Sequence, residues 1–327
     1  MTSQTNGRKT YLDVAKGIGI LGVILGHHIL CLGHGEYRWL TDWFWSFHMP
    51  MFFIISGYFF RSDSIRATLT KALGQLVRPY YLTVYAGIFV CIAILFRTGT
   101  YTGPSIVSWL WGALVLDPAY EQMAMWFIPA LFFGKVYMTL VYRYLPRREV
   151  FAVVALFLIA VALKDVHAVR FTSLSFMHKG LMVPLFLYVG QRFRQLDVFE
   201  CAHSAEAYVL ALLSVGFASW SAIDLNSLAF PNGFFSVCSC VLISWAVIVL
   251  CHGIEQVRVF RLPVAVLSFF GRHSLYFLCS HAFLFTIQLQ RHIPVHDTLL
   301  MGCIAVMVAL FGWWCWSLVR HLSAKIR

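Results

Sequence analysis

Long apolar runs follow one another from one end of the chain to the other, and no water-facing fold can absorb them all. They lie approximately at 12–33, 44–60, 79–97, 124–142, 150–164, 175–192, 206–223, 234–252, 264–288 and 298–319. Most come close to the ~20 residues an α-helix needs to cross a bilayer core of ~30 Å. Composition agrees: 60% of the 327 residues are hydrophobic and 12% charged, against roughly 45–50% and about 25% in a soluble domain. A transmembrane β-barrel would show alternating segments of about ten residues instead. The expected fold is therefore all-α. It is a single polytopic membrane domain over 1–327 with about ten transmembrane helices. The run "SIVSWLWGALVLD" (105–117) reads as a re-entrant or interfacial helix. The first run follows a polar N-terminus and is not followed by a small-residue cleavage site, so it reads as a retained helix, not a signal peptide.

Charge sets the orientation. With the N-terminus in the cytoplasm, Arg38, Arg97, Lys164, Arg170, Lys179 and Arg291 fall in outside segments, and Lys16 and Lys135 inside helices. The other 17 of the 25 Lys and Arg residues lie in cytoplasmic segments. Cytoplasmic loops of membrane proteins carry this excess, so both termini are expected in the cytoplasm. The net charge of +11 is dispersed in short clusters between apolar runs. That is a topology signal, and it excludes nucleic acid as a partner. Nine cysteines are scattered without a CxxC pair, which indicates neither a disulfide framework nor a zinc site. Neither an internal repeat nor the paired halves of many transporters is visible.

Ionisable groups inside apolar runs are costly and mark candidate function. The stretch "KGIGILGVILGHH" (16–28) holds Lys16 at one end and His27 with His28 at the other. At 100° and 1.5 Å per residue, Lys16 and His27 share one helix face about 16 Å apart. Asp13 falls on that face near Lys16 and pairs with it at i, i+3. Gly22 and Gly26 form a GxxxG, which favours close helix packing. His28 points about 100° away from His27 and is the backup candidate. Adjacent histidines on a helix diverge, and without a carboxylate cluster beside them no metal site is expected.

Further motifs follow in order: "FHMPMFFIISGYFFR" (47–61), "KALGQLVRPYYL" (71–82), "MWFIPALFF" (125–133) and "FFGRHSLYFLCSHAFLF" (269–285). With the basic-x10-His spacing of 16–27, they resemble the acyltransferase family 3 membrane proteins, most closely the fucose 4-O-acetylase-like branch of glycan O-acetyltransferases. The resemblance covers nearly the whole chain. Much of that family has arginine where this chain has Lys16, which keeps the charge but not the bidentate fork.

The resemblance implies an O-acyltransferase of the bacterial cytoplasmic membrane. Acetyl-CoA, made in the cytoplasm, would be the donor. The acceptor would be a glycan hydroxyl: O-antigen, capsule, exopolysaccharide or lipo-oligosaccharide. Lys16, Lys71 and Arg78 would hold the donor phosphates. Trp126 would line the donor channel, and Arg272 would touch phosphate. His27 would be the general base or carry the acyl group as a nucleophile. His48 would place the acceptor or brace the catalytic histidine, and His281 is a weaker candidate on the ninth run. A flippase of lipid-linked glycan is the alternative. It would spread ionisable residues over several spans, whereas here they concentrate near one site.

Overall fold

The computed structural model describes residues 9–31, 38–61, 64–98, 106–115, 125–166, 174–202, 205–217, 222–286, 303–314 and 317. Apart from one isolated bridge, regular structure among the described residues is helical. The helices are α1 (Thr10–Cys31), α2 (Arg38–Tyr58), α3 (Ile65–Ala72), α4 (Arg78–Thr98), α5 (Ile106–Leu114), α6 (Phe127–Tyr144) and α7 (Glu149–Ala162). Then come α8 (Leu174–Gly180), α9 (Val183–Gln195), α10 (Ala205–Gly216), α11 (Phe234–Gln256), α12 (Arg261–Arg272), α13 (Ser274–Thr286) and α14 (Cys303–Trp314).

α1 is central and packs against α2, α11, α12 and α13. Two crossings bring backbone onto backbone. A Cβ on Gly271 would lie 1.7 Å from the Asp13 carbonyl oxygen, and one on Gly17 would lie 2.0 Å from that of Leu267. α2 meets α9 in the same way, with Gly57 against Leu187 and Gly190 against Ile54. Hydrophobic driving force between helices is weak in lipid, so such small residues allow the close packing that holds a bundle together.

Three expected runs are broken. Residues 175–192 divide into α8 and α9, with Pro184 in the first turn of α9. Residues 264–288 bend by 69° where α12 gives way to α13. Residues 206–223 yield the shorter α10, followed by a closed turn at 224–229. α3 runs into α4 through a π-helical turn, Leu73–Val77, just before Pro79. The proline ring clashes with the preceding turn, and a widened turn relieves this.

Among the described residues, α11 alone is long and apolar enough to cross a bilayer by itself, and the bent α12–α13 pair qualifies jointly. Helices α1 and α2 have the length, 22 and 21 residues, but carry Asp13, Lys16, His27, Asp42 and His48 within it. Asp13 and His48 are buried, and Lys16 lines an internal cavity. The outward faces are apolar: Phe151, Val154 and Leu158 of α7, Leu210 and Leu213 of α10, and Phe235 and Leu242 of α11 are all exposed. Such an apolar exterior suits lipid.

Candidate active site

Lys16 and Asp13 form an ion pair one turn apart, Nζ to Oδ1 2.6 Å, with Asp13 buried and Lys16 partly open. The Lys16 side chain lines a cavity of about 430 Å³ between α1, α2, α3, α6 and α13. That size falls within the ~300–1,000 Å³ of small-molecule sites. Four cations line it, Lys16, Arg61, Lys71 and Lys135, and the described lining contains no carboxylate.

The charged residues of the long walls lie toward one end. On α1, Lys16 is followed by Ile20 and Val23. On α6, running the other way, Phe127 and Leu131 precede Lys135. On α2, Met49 and Phe52 precede Ser56, and Arg61 follows the helix. On α13, Ser274 precedes Leu275 and Leu278. The cations thus gather at one end, and the other end is a slot without charge.

Just beyond the apolar end stand the histidines. His27 lies four residues past Val23, His48 one residue before Met49, and His281 three residues past Leu278. The His27 and His281 ring centroids are 5.1 Å apart. Trp45 links the other two, 6.3 Å from His27 and 6.5 Å from His48. The consecutive helices α1 and α2 and the distant α13 therefore deliver three imidazoles and an indole to one place.

Each imidazole on α1 and α2 is oriented by its own helix. His27 Nδ1 lies 2.7 Å from the Val23 carbonyl oxygen, and His48 Nδ1 lies 2.6 Å from that of Phe44. A carbonyl only accepts, so Nδ1 carries the hydrogen in both and donates it. Nε2 is then the basic nitrogen of the neutral ring, as general-base chemistry requires. The Trp45 indole N–H is buried without a hydrogen-bond partner among the described residues.

A model of the family described as an acyltransferase domain, Acyl_transf_3, matches residues 9–318. The chain belongs to acyltransferase family 3. This is a family of membrane acyltransferases. Over 77 residues the chain is 39% identical to nodulation protein NolL of Mesorhizobium japonicum, covering 22% of this chain and 20% of that protein. Over 75 residues it is 35% identical to NolL of Sinorhizobium fredii, covering 21% and 20%. The matched stretch spans about a fifth of the length of these curated relatives. No solved structure matches the chain.

Within this family fold the sequence-derived residues separate into groups. Lys16 and Lys71 meet on the cavity, and His27 and His48 meet beyond its end. Arg78, Trp126 and Arg272 are not among the described lining residues. The Arg272 guanidinium donates to the Ser268 carbonyl and hydroxyl on its own helix. Trp126 precedes the lining residue Phe127, at the apolar end, and its ring lies under the Lys179 ammonium. The side chain of His28 lies outside the described residues. No group of three or more His, Cys, Asp or Glu able to hold a metal occurs among the described residues.

Two cations of the cavity lining, Arg61 and Lys135, were not singled out in the sequence, and the His281 ring, a weaker candidate there, stands 5.1 Å from that of His27. Lys135 carried the signal that selected Lys16, a single charge inside a run otherwise uncharged over 125–142. Arg61 was indistinguishable from a topology cation, because both kinds sit at helix ends.

Proposed function

We propose that this protein is an acetyl-CoA-dependent O-acetyltransferase of the bacterial cytoplasmic membrane that modifies a hydroxyl of a cell-surface or lipid-linked glycan. The observation that carries the reading is the graded cavity, with four cations at one end and oriented imidazoles beyond the other. CoA has the matching polarity: anionic phosphates, a long neutral pantetheine arm, and a thioester at its tip. Lys16, Arg61, Lys71 and Lys135 meet the phosphates as charge-assisted donors. The arm lies between Ile20, Phe52 and Leu131. The cation end faces the cytoplasm, in keeping with a ten-span topology and both termini inside.

His27 Nε2 takes the proton of the acceptor hydroxyl as its oxygen attacks the thioester carbonyl. The Trp45 indole N–H donates to the oxyanion that forms there. Collapse breaks the C–S bond, and the CoA sulfur leaves with the proton from His27. The products are the acetyl ester and free CoA. His48 and His281 hold His27 and the incoming hydroxyl in place.

Two measurements test the reading. Purified protein is titrated with acetyl-CoA, and surface glycans of cells with and without the gene are compared by mass spectrometry. We expect saturable donor binding and a base-labile acetyl that vanishes with the gene. Absence of both overturns the proposal. Donor binding with unchanged glycans removes the glycan acceptor from it.

A further inference from the structure

One face of α6 is polar over two turns. Lys135, Thr139 and Tyr142 recur at i, i+4 and i+7, within about 60° of one another on a helix that turns 100° per residue. Lys135 lines the cavity, whereas Thr139 and Tyr142 lie behind its described lining. Polar groups inside an apolar run are costly unless they are hydrogen-bonded. Both hydroxyls are directed at other elements of the cation end.

Thr139 joins α6 to α3. Its hydroxyl donates to the Lys135 carbonyl at 2.8 Å and shares a hydrogen bond with the Thr68 hydroxyl at 3.2 Å, and both threonines are buried. Thr68 lines the cavity one turn before Lys71. Tyr142 joins α6 to α9 and, through it, to the end of α2. Its hydroxyl donates to Gln191 Oε1, and Gln191 Nε2 donates to the Phe60 carbonyl oxygen at 3.3 Å. A carbonyl only accepts, so the amide nitrogen must face Phe60, which leaves the amide oxygen to the tyrosine. Phe60 is buried, lines the cavity and immediately precedes Arg61. One turn along α9, Arg194 donates to the Tyr58 carbonyl at 3.3 Å. Side chains of α9 thus hold the C-terminal end of α2, where helix carbonyls lack partners within the helix.

Arg61, Lys71 and Lys135 come from three separate elements and bring like charge to one space. Lys16 has Asp13 beside it, but the described lining offers the other three no carboxylate. Like charges repel, so unbraced elements would move apart. Resting on the acyltransferase reading above, we propose that Thr139, Tyr142 and Gln191 are positioning residues of the donor site, which tie Lys71 and Arg61 to the helix of Lys135 and hold the three cations ready for the CoA phosphates. Ordering the cations is then part of folding and not of binding, which favours affinity. Each of the three residues acts through a neighbour that lines the cavity.

The test uses the full chain, purified with Thr139→Val, Tyr142→Phe or both, each change close to isosteric. Every protein is titrated with acetyl-CoA, with the nucleotide fragment of CoA that lacks the pantetheine arm, and with acetyl-pantetheine, which lacks the nucleotide. Loss of one buried hydrogen bond predicts about 3- to 10-fold weaker acetyl-CoA binding in each single variant and about 10- to 100-fold in the double. The nucleotide fragment loses by the same factor, and acetyl-pantetheine binding stays within about two-fold. Thr139→Ser, which keeps the hydroxyl, binds acetyl-CoA as wild type does. Unchanged acetyl-CoA affinity in the double variant overturns the proposal. So does an equal loss on acetyl-pantetheine, or a Thr139→Ser protein as weak as Thr139→Val, since either marks general loosening of the bundle. If the double variant does not fold, Tyr142→Phe decides alone on the same criteria. A wild-type protein that binds neither acetyl-CoA nor the nucleotide fragment overturns the donor reading itself, and the positioning role with it.

Discussion

The two ends of the central cavity solve opposite electrostatic problems. At the Lys16 end, four cations face one space without a carboxylate among the described lining, and Lys16 is steadied from outside that lining by Asp13. At the His27 end there are imidazoles pinned by the carbonyls one turn behind them. Charge gathered without counter-charge attracts an anion and holds it by many weak contacts, no one of which is decisive. An oriented neutral base acts on a single proton, and its geometry decides everything. On the proposed reading, binding and chemistry are separated by about 16 Å along α1, and they should fail differently when altered.

The largest effect is expected at the histidine end. His27→Ala should lower turnover by about 10²–10⁴-fold while acetyl-CoA affinity stays near wild type. Full transfer by a well-folded His27→Ala protein would falsify the division of labour. Next comes the double change Lys16→Ala with Lys71→Ala. Donor KM should rise about 10- to 100-fold, with kcat much less affected. Acetyl-pantetheine, which lacks the nucleotide, sharpens this test: wild type and the double variant should use it about equally badly. If the variant loses as much on that short donor as on acetyl-CoA, the cations act on chemistry or folding and not on phosphate.

A smaller effect is expected for Trp45→Phe, which keeps the ring packing against His27 and His48 but removes the indole N–H. Loss of one oxyanion donor costs up to about 10²–10³-fold where other donors are few. With backbone groups and His281 nearby, about 10-fold in kcat and unchanged donor KM is the expected outcome of steady-state kinetics. A changed KM with unchanged kcat would move Trp45 from the chemical end to the binding end. The smallest effect is expected for Lys16→Arg. Arginine keeps the charge, and its fork suits phosphate, so donor KM should stay within about three-fold of wild type. A large loss there means that the short contact to Asp13, not the charge, is what the site requires.

The π turn at Leu73–Val77 shows how one local defect serves the binding end. Pro79 denies the helix a normal turn, and the widened turn carries Gln75 to the cavity alongside Lys71. Arg78 was singled out with the motif 71–82, whereas the lining side chains Gln75 and Leu76 come from the turn before it. A proline acts on the residues preceding it, so the motif marked the place but not the contacts.

The sequence by itself determined the solvent, the helical class and the placing of Lys16 and His27 on one helix face. Sixty per cent apolar composition in repeated runs leaves only helices that satisfy their own backbone. Lys16 and His27 lie on one helix, so fixed helical geometry gives their separation without reference to any other element. Asp13 beside Lys16 was legible for the same reason. The tertiary structure alone decided what stands opposite them. His281 is more than 250 residues from His27 in the chain, and its ring is 5.1 Å away. Lys135 joins Lys16 only because α6 runs antiparallel along the same cavity. Periodicity within a helix specifies which face a residue occupies, but not which face another helix presents to it. That depends on where backbones can touch, and here the Gly17–Leu267 and Gly271–Asp13 contacts between α1 and α12 decide it.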